Sequence, residues 1–546
     1  MSASAGSLGT TAGTLSIYRR VDALTDSRAA WWTAFAATCA VLLAPLFVVD
    51  VPPLLDYPNH LARMYVLAFG AHDPVLSRMY EQHWAIIPNL AIDLVLPALM
   101  HVLPVYVAGR VMLGATLLLP LVGTIVYHRV AFTKRSWWPL TVALMSYNAL
   151  FLFGFMNFLL SLGMALLAAA AWLRWRDRHA VIVTVCGMAA TVAIFFMHLF
   201  GLVFLAVLVG GEELHPLWRL HASGNPILPR LLRRALMVIL MLAPAALLTM
   251  MAPIDQLNGA VLYRPLWHKL YGLGEPFLTY DGAADVLTGG LGLIALYAGG
   301  RCGRLRAAPG IGLALAALFV TYLICPFAIK GTGFIDARFP VMLGLLVFAG
   351  LRPAGLSPRI RTMIAAVLAL VFLSRTVSLA TVWYDHNRDL TDFREVSARV
   401  SPGSRVLVVS VDPQDEPEYW DSVPRGRRIP GFFRLDLHLP ALLTIERRAF
   451  IPYLFTVKAK QPLAVRPPYD RIAVPEGQPP DWQSLVVGYN VHPVTPAPYL
   501  RDWAQNFDEV LLLNAGGAGN PAAFLPDRLQ LVIARDVAAL YRIRQP

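Results

Sequence analysis

From Trp31 to Val382 the chain repeats long apolar runs separated by short polar connections, and then it changes character. Lipid offers no hydrogen-bond partners, so a run that spans a bilayer must satisfy its own backbone as a helix or belong to a closed barrel. The runs lack the alternating polar pattern of barrel strands, which leaves helices. The pattern predicts spans over 31–49, 105–128, 235–251, 284–300, 311–329, 339–351 and 362–382. Two further blocks, 137–172 and 180–211, each of about 35 residues, predict helical hairpins bent near Phe153-Gly154 and His198 to Gly201. The count is about eleven spans.

One apolar stretch does not fit a span. Pro88 to Pro104 is short, is broken by Pro97 and carries Asp93, and if it crossed, Arg129, Lys134 and Arg135 would land on the outer side. Residues 84–104 are therefore expected to lie in the outer interface as helices. This puts the N-terminal tail, residues 1–28, in the cytoplasm and the first loop, 50–104, outside. The first run ends in Val48-Val49-Asp50-Val51-Pro52 with no small-residue cleavage site, so it reads as an uncleaved helix.

Beyond about Tyr384 the apolar runs shorten to strand length. Arg405–Val411, Glu509–Leu513 and Leu529–Ala534 read as β-strands within a Pro-rich, charged background, which predicts a small soluble α/β domain over 384–546, on the outer side if the span count is odd. The division is then a tail 1–28, a membrane domain 29–383 and this terminal domain.

Composition agrees: 546 residues, 57% hydrophobic and only 15% charged, with four cysteines in or beside apolar segments and no disulfide or zinc spacing. The net charge of +12 sits mainly in short connections such as Arg129–Arg135 and Arg174–Arg178, which is a positive-inside signature rather than a nucleic-acid footprint. No Walker loop, dinucleotide fingerprint or metalloprotease helix is present.

The concentration of chemistry is Pro52-Pro53-Leu54-Leu55-Asp56-Tyr57-Pro58-Asn59-His60-Leu61-Ala62-Arg63, just beyond the first span. Prolines hold this backbone extended, so the Asp56 carboxylate can point into a cleft at headgroup level. Beside His60 and Arg63 it could take a proton from an acceptor hydroxyl; equally, Asp56 and Arg63 could form an interfacial ion pair. Asp93, costly in lipid, would face a cavity or pair with Arg63 or Arg110. Further along stands Gly333-Phe334-Ile335-Asp336-Ala337-Arg338-Phe339-Pro340 at the start of a span. A guanidinium there can grip a phosphate bidentately, or can snorkel and pair with Asp336. Tyr263-Arg264-Pro265-Leu266-Trp267-His268-Lys269 is a cationic, aromatic loop that suits phosphate or sugar binding and interface anchoring alike.

An Asp-bearing first outer loop, interfacial helices opening on a Pro-led run, many short spans and the Asp336-x-Arg338-Phe339 motif together resemble the GT-C integral membrane glycosyltransferases. The resemblance covers roughly residues 30–380, and the sequence departs from it at Tyr57, where a second carboxylate would complete an acid pair, and at Pro88-Asn89, where a Pro-Pro pair is common. It implies Asp56 as the catalytic carboxylate and Glu81 as a second acid candidate. His60, Arg63, His83, Arg264, Lys269, Asp336 and Arg338 would be substrate contacts. Glu81 and His83, flanked by aromatics, also suit an ordinary interfacial belt.

The implied activity is transfer of a sugar from a polyprenyl-phosphate donor, of the undecaprenyl type, to an envelope glycan, lipid or protein acceptor in a bacterial inner membrane. Some members of the family use a divalent ion; this sequence offers no evident ligand set, and the cofactor is left open. Two readings from other classes stay in play. One is a lipid or polysaccharide export component, which mid-membrane broken repeats would favour. The other is a non-catalytic scaffold.

Overall fold

The protein is described by a computed structural model over residues 27–544, apart from 134, 224–225, 254–256, 258, 412–422, 430–432, 490–496 and 518–526. All but the last two residues of the expected tail 1–28 lie outside the described residues. Ser27 opens the first helix, α1 (Arg28–Leu43), its hydroxyl accepting the Ala30 N–H at 3.0 Å. A 3₁₀ turn, Ala44–Phe47, carries Pro45 and ends the crossing.

The first loop carries two helices of ten residues or more, α2 (Tyr57–Phe69) and α3 (Ala91–Met100), with a single helical turn, Leu76–Met79, between them. The bundle continues with α4 (Val105–Phe132), α5 (Met156–Trp175), α6 (Ala180–Met197), α7 (Leu199–Ala222) and α8 (Leu228–Met251). After a short α9 (Leu266–Gly272) come α10 (Gly282–Arg301), α11 (Ile311–Ile324), α12 (Arg338–Gly350) and α13 (Pro358–Ser397). Among the described residues, eight helices are long and apolar enough to cross a membrane: α1 with its 3₁₀ turn, α4 to α8, α10 and α13. Three apolar helices are shorter, namely α3, α11 and α12.

The expected hairpin over 137–172 does bend at Phe153-Gly154, but its first arm is a 3₁₀ segment, Trp138–Met145, and a single turn, Ala149–Leu152. The hairpin over 180–211 breaks at His198, whose Nδ1 accepts the Phe200 N–H at 3.1 Å and so caps α7. The last run belongs to a 40-residue helix that continues into the C-terminal region.

α5 is the most enclosed of the membrane-length helices, and α10 and α13 are the least. α4 packs against α5 at van der Waals distance of backbone to backbone, because Gly163 has no side chain: a Cβ there would lie 2.5 Å from the Leu119 carbonyl carbon. At the end of the bundle remote from the first loop, charges are buried in pairs. Tyr127 Oη donates to Glu212 at 2.8 Å, and Trp172 Nε1 and Arg176 donate to Glu213 at 2.8 and 2.9 Å.

The C-terminal region contains a four-stranded mixed sheet. β2 (Val406–Ser410) runs parallel to β4 (Glu509–Leu513), Val406 opposite Glu509, and both strands are wholly buried. β6 (Ala538–Ile543) is antiparallel to β4 on one side and to β5 (Leu529–Ala534) on the other, giving the order β2-β4-β6-β5. Three of these four strands are the ones the apolar runs predict. The region also reaches back to the first loop, where β1 (Tyr80–Gln82) pairs antiparallel with β3 (Leu463–Val465).

Candidate active site

Asp56 is the residue before α2, and its position is set by its backbone. Its N–H donates to the Phe153 carbonyl at 3.2 Å, and the Leu55 N–H donates to the Leu152 carbonyl at 2.9 Å. The next residue in the bend, Gly154, has φ +86°, and a Cβ there would lie 3.0 Å from the Asp56 Cβ and 3.1 Å from the Tyr57 nitrogen. Only glycine fills this position without displacing Asp56. The Phe153-Gly154 bend is thus a seat for the carboxylate.

The carboxylate does not meet Arg63. The Arg63 guanidinium is bound in bidentate fashion by Asp93, Nε to Oδ1 at 2.8 Å and Nη2 to Oδ2 at 3.1 Å, with both residues buried. This pair locks α2 to α3. Asp56 Oδ1 instead lies 3.1 Å from His438 Nδ1, contributed by the C-terminal region. The angle falls short of a hydrogen bond, and both nitrogens of this buried imidazole lack an aligned partner, so a small ring rotation would complete the contact.

Asn59 explains how a residue so distant in sequence arrives here. Its Nδ2 donates to the Tyr453 carbonyl at 3.1 Å and its Oδ1 accepts the Phe455 N–H at 2.8 Å, so α2 holds that segment as a strand would. Phe455 then packs edge-on to both His60 and His438, at 5.3 and 5.2 Å between ring centroids. Burial, with Arg63 and His438 nearby, holds His60 well below the usual imidazole range, and its buried Nδ1 has no partner. His60 is therefore a neutral wall of the site.

On its other flank the seat meets the loop before α12. The Phe153 ring lies 4.8 Å from that of Phe334, and Phe334 lies 5.1 Å from Phe327. Phe334 has φ +56°, and Arg338 holds this turn: its Nη1 donates to the Gly333 and Phe334 carbonyls at 2.9 and 2.6 Å. The guanidinium is enclosed by the rings of Phe155 and Phe200, 5.1 and 5.2 Å from their centroids. Arg264 stands over Phe327 at 4.1 Å and faces two buried carboxylates, Glu275 Oε1 at 3.5 Å and Asp336 Oδ1 at 4.0 Å. Burial pushes the Glu275 carboxyl up to about 7, with Arg264 pulling against it and Asp336 adding to it. Its Oε2 is buried without a partner.

The remaining candidates stand apart. Glu81 lies on β1, half-buried and 3.7 Å from Arg466, and the exposed His83 is anchored through its N–H on the Pro462 carbonyl at 2.7 Å. Lys269 is buried, with its amine on the Tyr322 carbonyl at 2.7 Å and also on the Cys325 carbonyl, where it caps α11. A chain of contacts thus links Asp56 to His60 through His438 and Phe455, and the Asp56 seat to Arg338, Asp336 and Arg264 through the Phe153–Phe334 ring pair.

Sequence reading missed His438, Tyr453, Phe455 and Glu275. The acid–imidazole spacing in Asp436-Leu437-His438 was the one local signal, and nothing in it pointed to the first loop. Among the described residues no three His, Cys, Asp or Glu side chains converge to hold a metal ion.

No family model matches the sequence, and no curated protein matches it. The solved structures do give a match in fold. ArnT from Cupriavidus metallidurans bound to undecaprenyl phosphate superposes with a TM-score of 0.51 at 13% identity, covering 94% of this chain and 98% of that one. The same protein in its apo state gives 0.49 at 14% identity over the same shares. The chain thus shares the fold of ArnT, a helical membrane-type architecture with a small strand-bearing C-terminal region.

Proposed function

We propose that this protein is a membrane glycosyltransferase that moves a sugar from a polyprenyl-phosphate donor to a hydroxyl acceptor of the cell envelope, with Asp56 as base. One observation carries the reading. Asp56 is seated by Gly154 and backed by His438, while the Phe153–Phe334 ring pair joins that seat to a buried arginine cluster.

In the reaction the acceptor oxygen bonds to the anomeric carbon, and the bond from that carbon to the phosphate oxygen breaks. The electron pair leaves with the carrier phosphate, and the acceptor proton passes to Asp56. Direct displacement inverts the anomeric centre. His438 orients the carboxylate and holds the proton's electrostatic balance across the contact. Arg264 is the guanidinium placed to meet developing negative charge on the phosphate, since its contacts to Glu275 and Asp336 are long, 3.5 and 4.0 Å, and leave it donors to offer. Arg338, committed to two carbonyls, supports the turn beneath and adds positive potential. Lys269 is assigned to packing. The carrier comes from the bilayer, and undecaprenyl phosphate, the molecule bound in the fold neighbour ArnT, is the carrier class this reading adopts.

The test is release of polyprenyl phosphate from a panel of polyprenyl-phosphate sugars by the purified protein in lipid, with envelope extract as acceptor source. Acceptor-dependent release from one donor supports the reading. Absence of release from every donor, by protein that remains folded, would turn it toward export or scaffolding.

A further inference from the structure

The loop between α8 and α10 has two faces of opposite character. Toward the protein it turns its cations: Arg264 lies over Phe327 at 4.1 Å, and the Lys269 amine donates to the Tyr322 and Cys325 carbonyls. Away from the protein it turns Tyr263, Leu266, Trp267, Leu270 and Tyr271, each at least 50% exposed.

Helical spacing produces the split. In α9, Leu266 and Leu270 lie one turn apart, as do Trp267 and Tyr271, so the two rows adjoin on the outward side; Lys269 and Gly272, three residues apart, face inward and are buried. A helix facing water turns its apolar stripe to the core, and α9 does the reverse. The face is also held in place. The Leu262 N–H donates to the Ala328 carbonyl at 3.0 Å, the Phe327 N–H donates to the Leu262 carbonyl at 2.7 Å, and Tyr322 Oη donates to the Lys269 carbonyl. The outward rows cannot roll under without breaking these bonds.

Continuity identifies what covers them. α8 is long and apolar enough to cross a membrane and is largely unburied within the protein. Leu247, Met250 and Met251 are exposed at the end that leads into this loop, and Ile324 is exposed at the end of α11 that leads into the Phe327 turn. The outward face of residues 263–271 extends that lipid-facing surface, at the end of the bundle where Phe327, Phe334 and Phe153 lead to Asp56. The residue types set its depth. Trp267, stacked 3.7 Å from His268, and the two tyrosines have apolar bodies and polar tips, which suits the headgroup boundary, and a seven-residue helix is too short to span.

We propose that residues 263–271 are a lipid-docking face, lying in the leaflet on the Asp56 side at the boundary of headgroups and acyl chains. Leu266, Trp267, Leu270 and Tyr271 sit in lipid, and Arg264 stands behind them in protein. The partner is a phospholipid surface of any headgroup charge, because the outward rows of α9 carry no Lys or Arg. This goes beyond the proposed transfer reaction and does not depend on it.

The experiment places benzoylphenylalanine, whose ketone inserts into nearby C–H bonds on irradiation, singly at Trp267 and at Leu270 of the full-length protein in phosphatidylcholine bilayers. Leu247, exposed on α8, is the lipid-facing control, and Gln530, exposed on β5, is the control in the C-terminal sheet. Adducts are read by intact mass and located on the lipid by fragmentation. Positions 267 and 270 are expected to capture one phosphatidylcholine with a yield within about twofold of position 247 and roughly tenfold above position 530, attached near the glycerol end of the acyl chains. Yields at 267 and 270 as low as at 530 would overturn the docking face. Capture of a second copy of the chain in place of lipid would overturn the occupant, and attachment at the methyl ends of the acyl chains would overturn the interfacial depth.

Discussion

Asp56 of the first loop and His438 of the C-terminal region meet at 3.1 Å, carboxylate to imidazole, with the His438 side chain almost wholly buried. Neither element alone makes this contact. It depends on Asn59, which grips the segment that carries Phe455, and on Gly154, which admits Asp56 from below.

If His438 orients Asp56, His438→Ala lowers kcat by about 100-fold, the scale of a misplaced catalytic group, and leaves the KM for the donor nearly unchanged. His438→Gln, which keeps an N–H donor, recovers part of the rate. Steady-state kinetics of both variants decide it; a rise in KM alone would place His438 in donor binding instead.

Asn59→Ala leaves the Tyr453 carbonyl and the Phe455 N–H without partners in a buried setting. The expected loss is roughly 2 kcal/mol, the usual penalty for stranded main-chain groups. Thermal unfolding should show a lower Tm, and limited proteolysis faster cutting near residue 455. Unchanged resistance would mean that the C-terminal region is held by its other contacts.

Much of this architecture is legible in the chain because the physics behind it is local. Membrane-length apolar runs give α1, α4 to α8, α10 and α13, and the three predicted strands lie in the C-terminal sheet. The first arm of the 137–172 hairpin is not legible, since Pro139 and the Asn148 cap divide a uniformly apolar stretch into a 3₁₀ segment and one turn. For the site, proline-flanked Asp56 stood out because a carboxylate beside a span is costly without a task. Its partner did not. Two charge readings left open in sequence, Asp56 with Arg63 and Asp93 with Arg63 or Arg110, are settled only by the packing of α2 on α3, where Arg63 turns to Asp93. His438 and Phe455 reach the site through main-chain hydrogen bonds to Asn59, and such bonds leave no mark on residue pattern.

Gly154→Ala tests the seat itself. An alanine in the left-handed region costs about 1–2 kcal/mol, and its Cβ presses on Asp56. Transfer should fall at least tenfold, roughly, with helical circular dichroism unchanged. Full activity would show that Asp56 does not need this backbone position.

The burial of Glu275 sets the sign of a pH dependence expected for the chain. Its carboxyl is raised from 4.5 to about 7 in the fold. The native state therefore holds a proton that the unfolded chain releases near 4.5, and the stabilisation present below that pH is lost as the pH rises through about 7. At about 1.4 kcal/mol per unit the upper bound is roughly 3.5 kcal/mol. Tm should fall between pH 5 and 8 in the wild type and stay flatter in Glu275→Gln; parallel profiles would remove Glu275 as the source.

The central claim is that Asp56 performs the chemistry, and sugar transfer at matched expression tests it most directly. Membranes holding the wild type or Asp56→Asn are given radiolabelled polyprenyl-phosphate sugar, and label in envelope acceptors is counted alongside donor retained by the purified proteins. The account predicts that Asp56→Asn keeps donor binding and loses transfer by about 100-fold or more. Equal transfer by both proteins would contradict it.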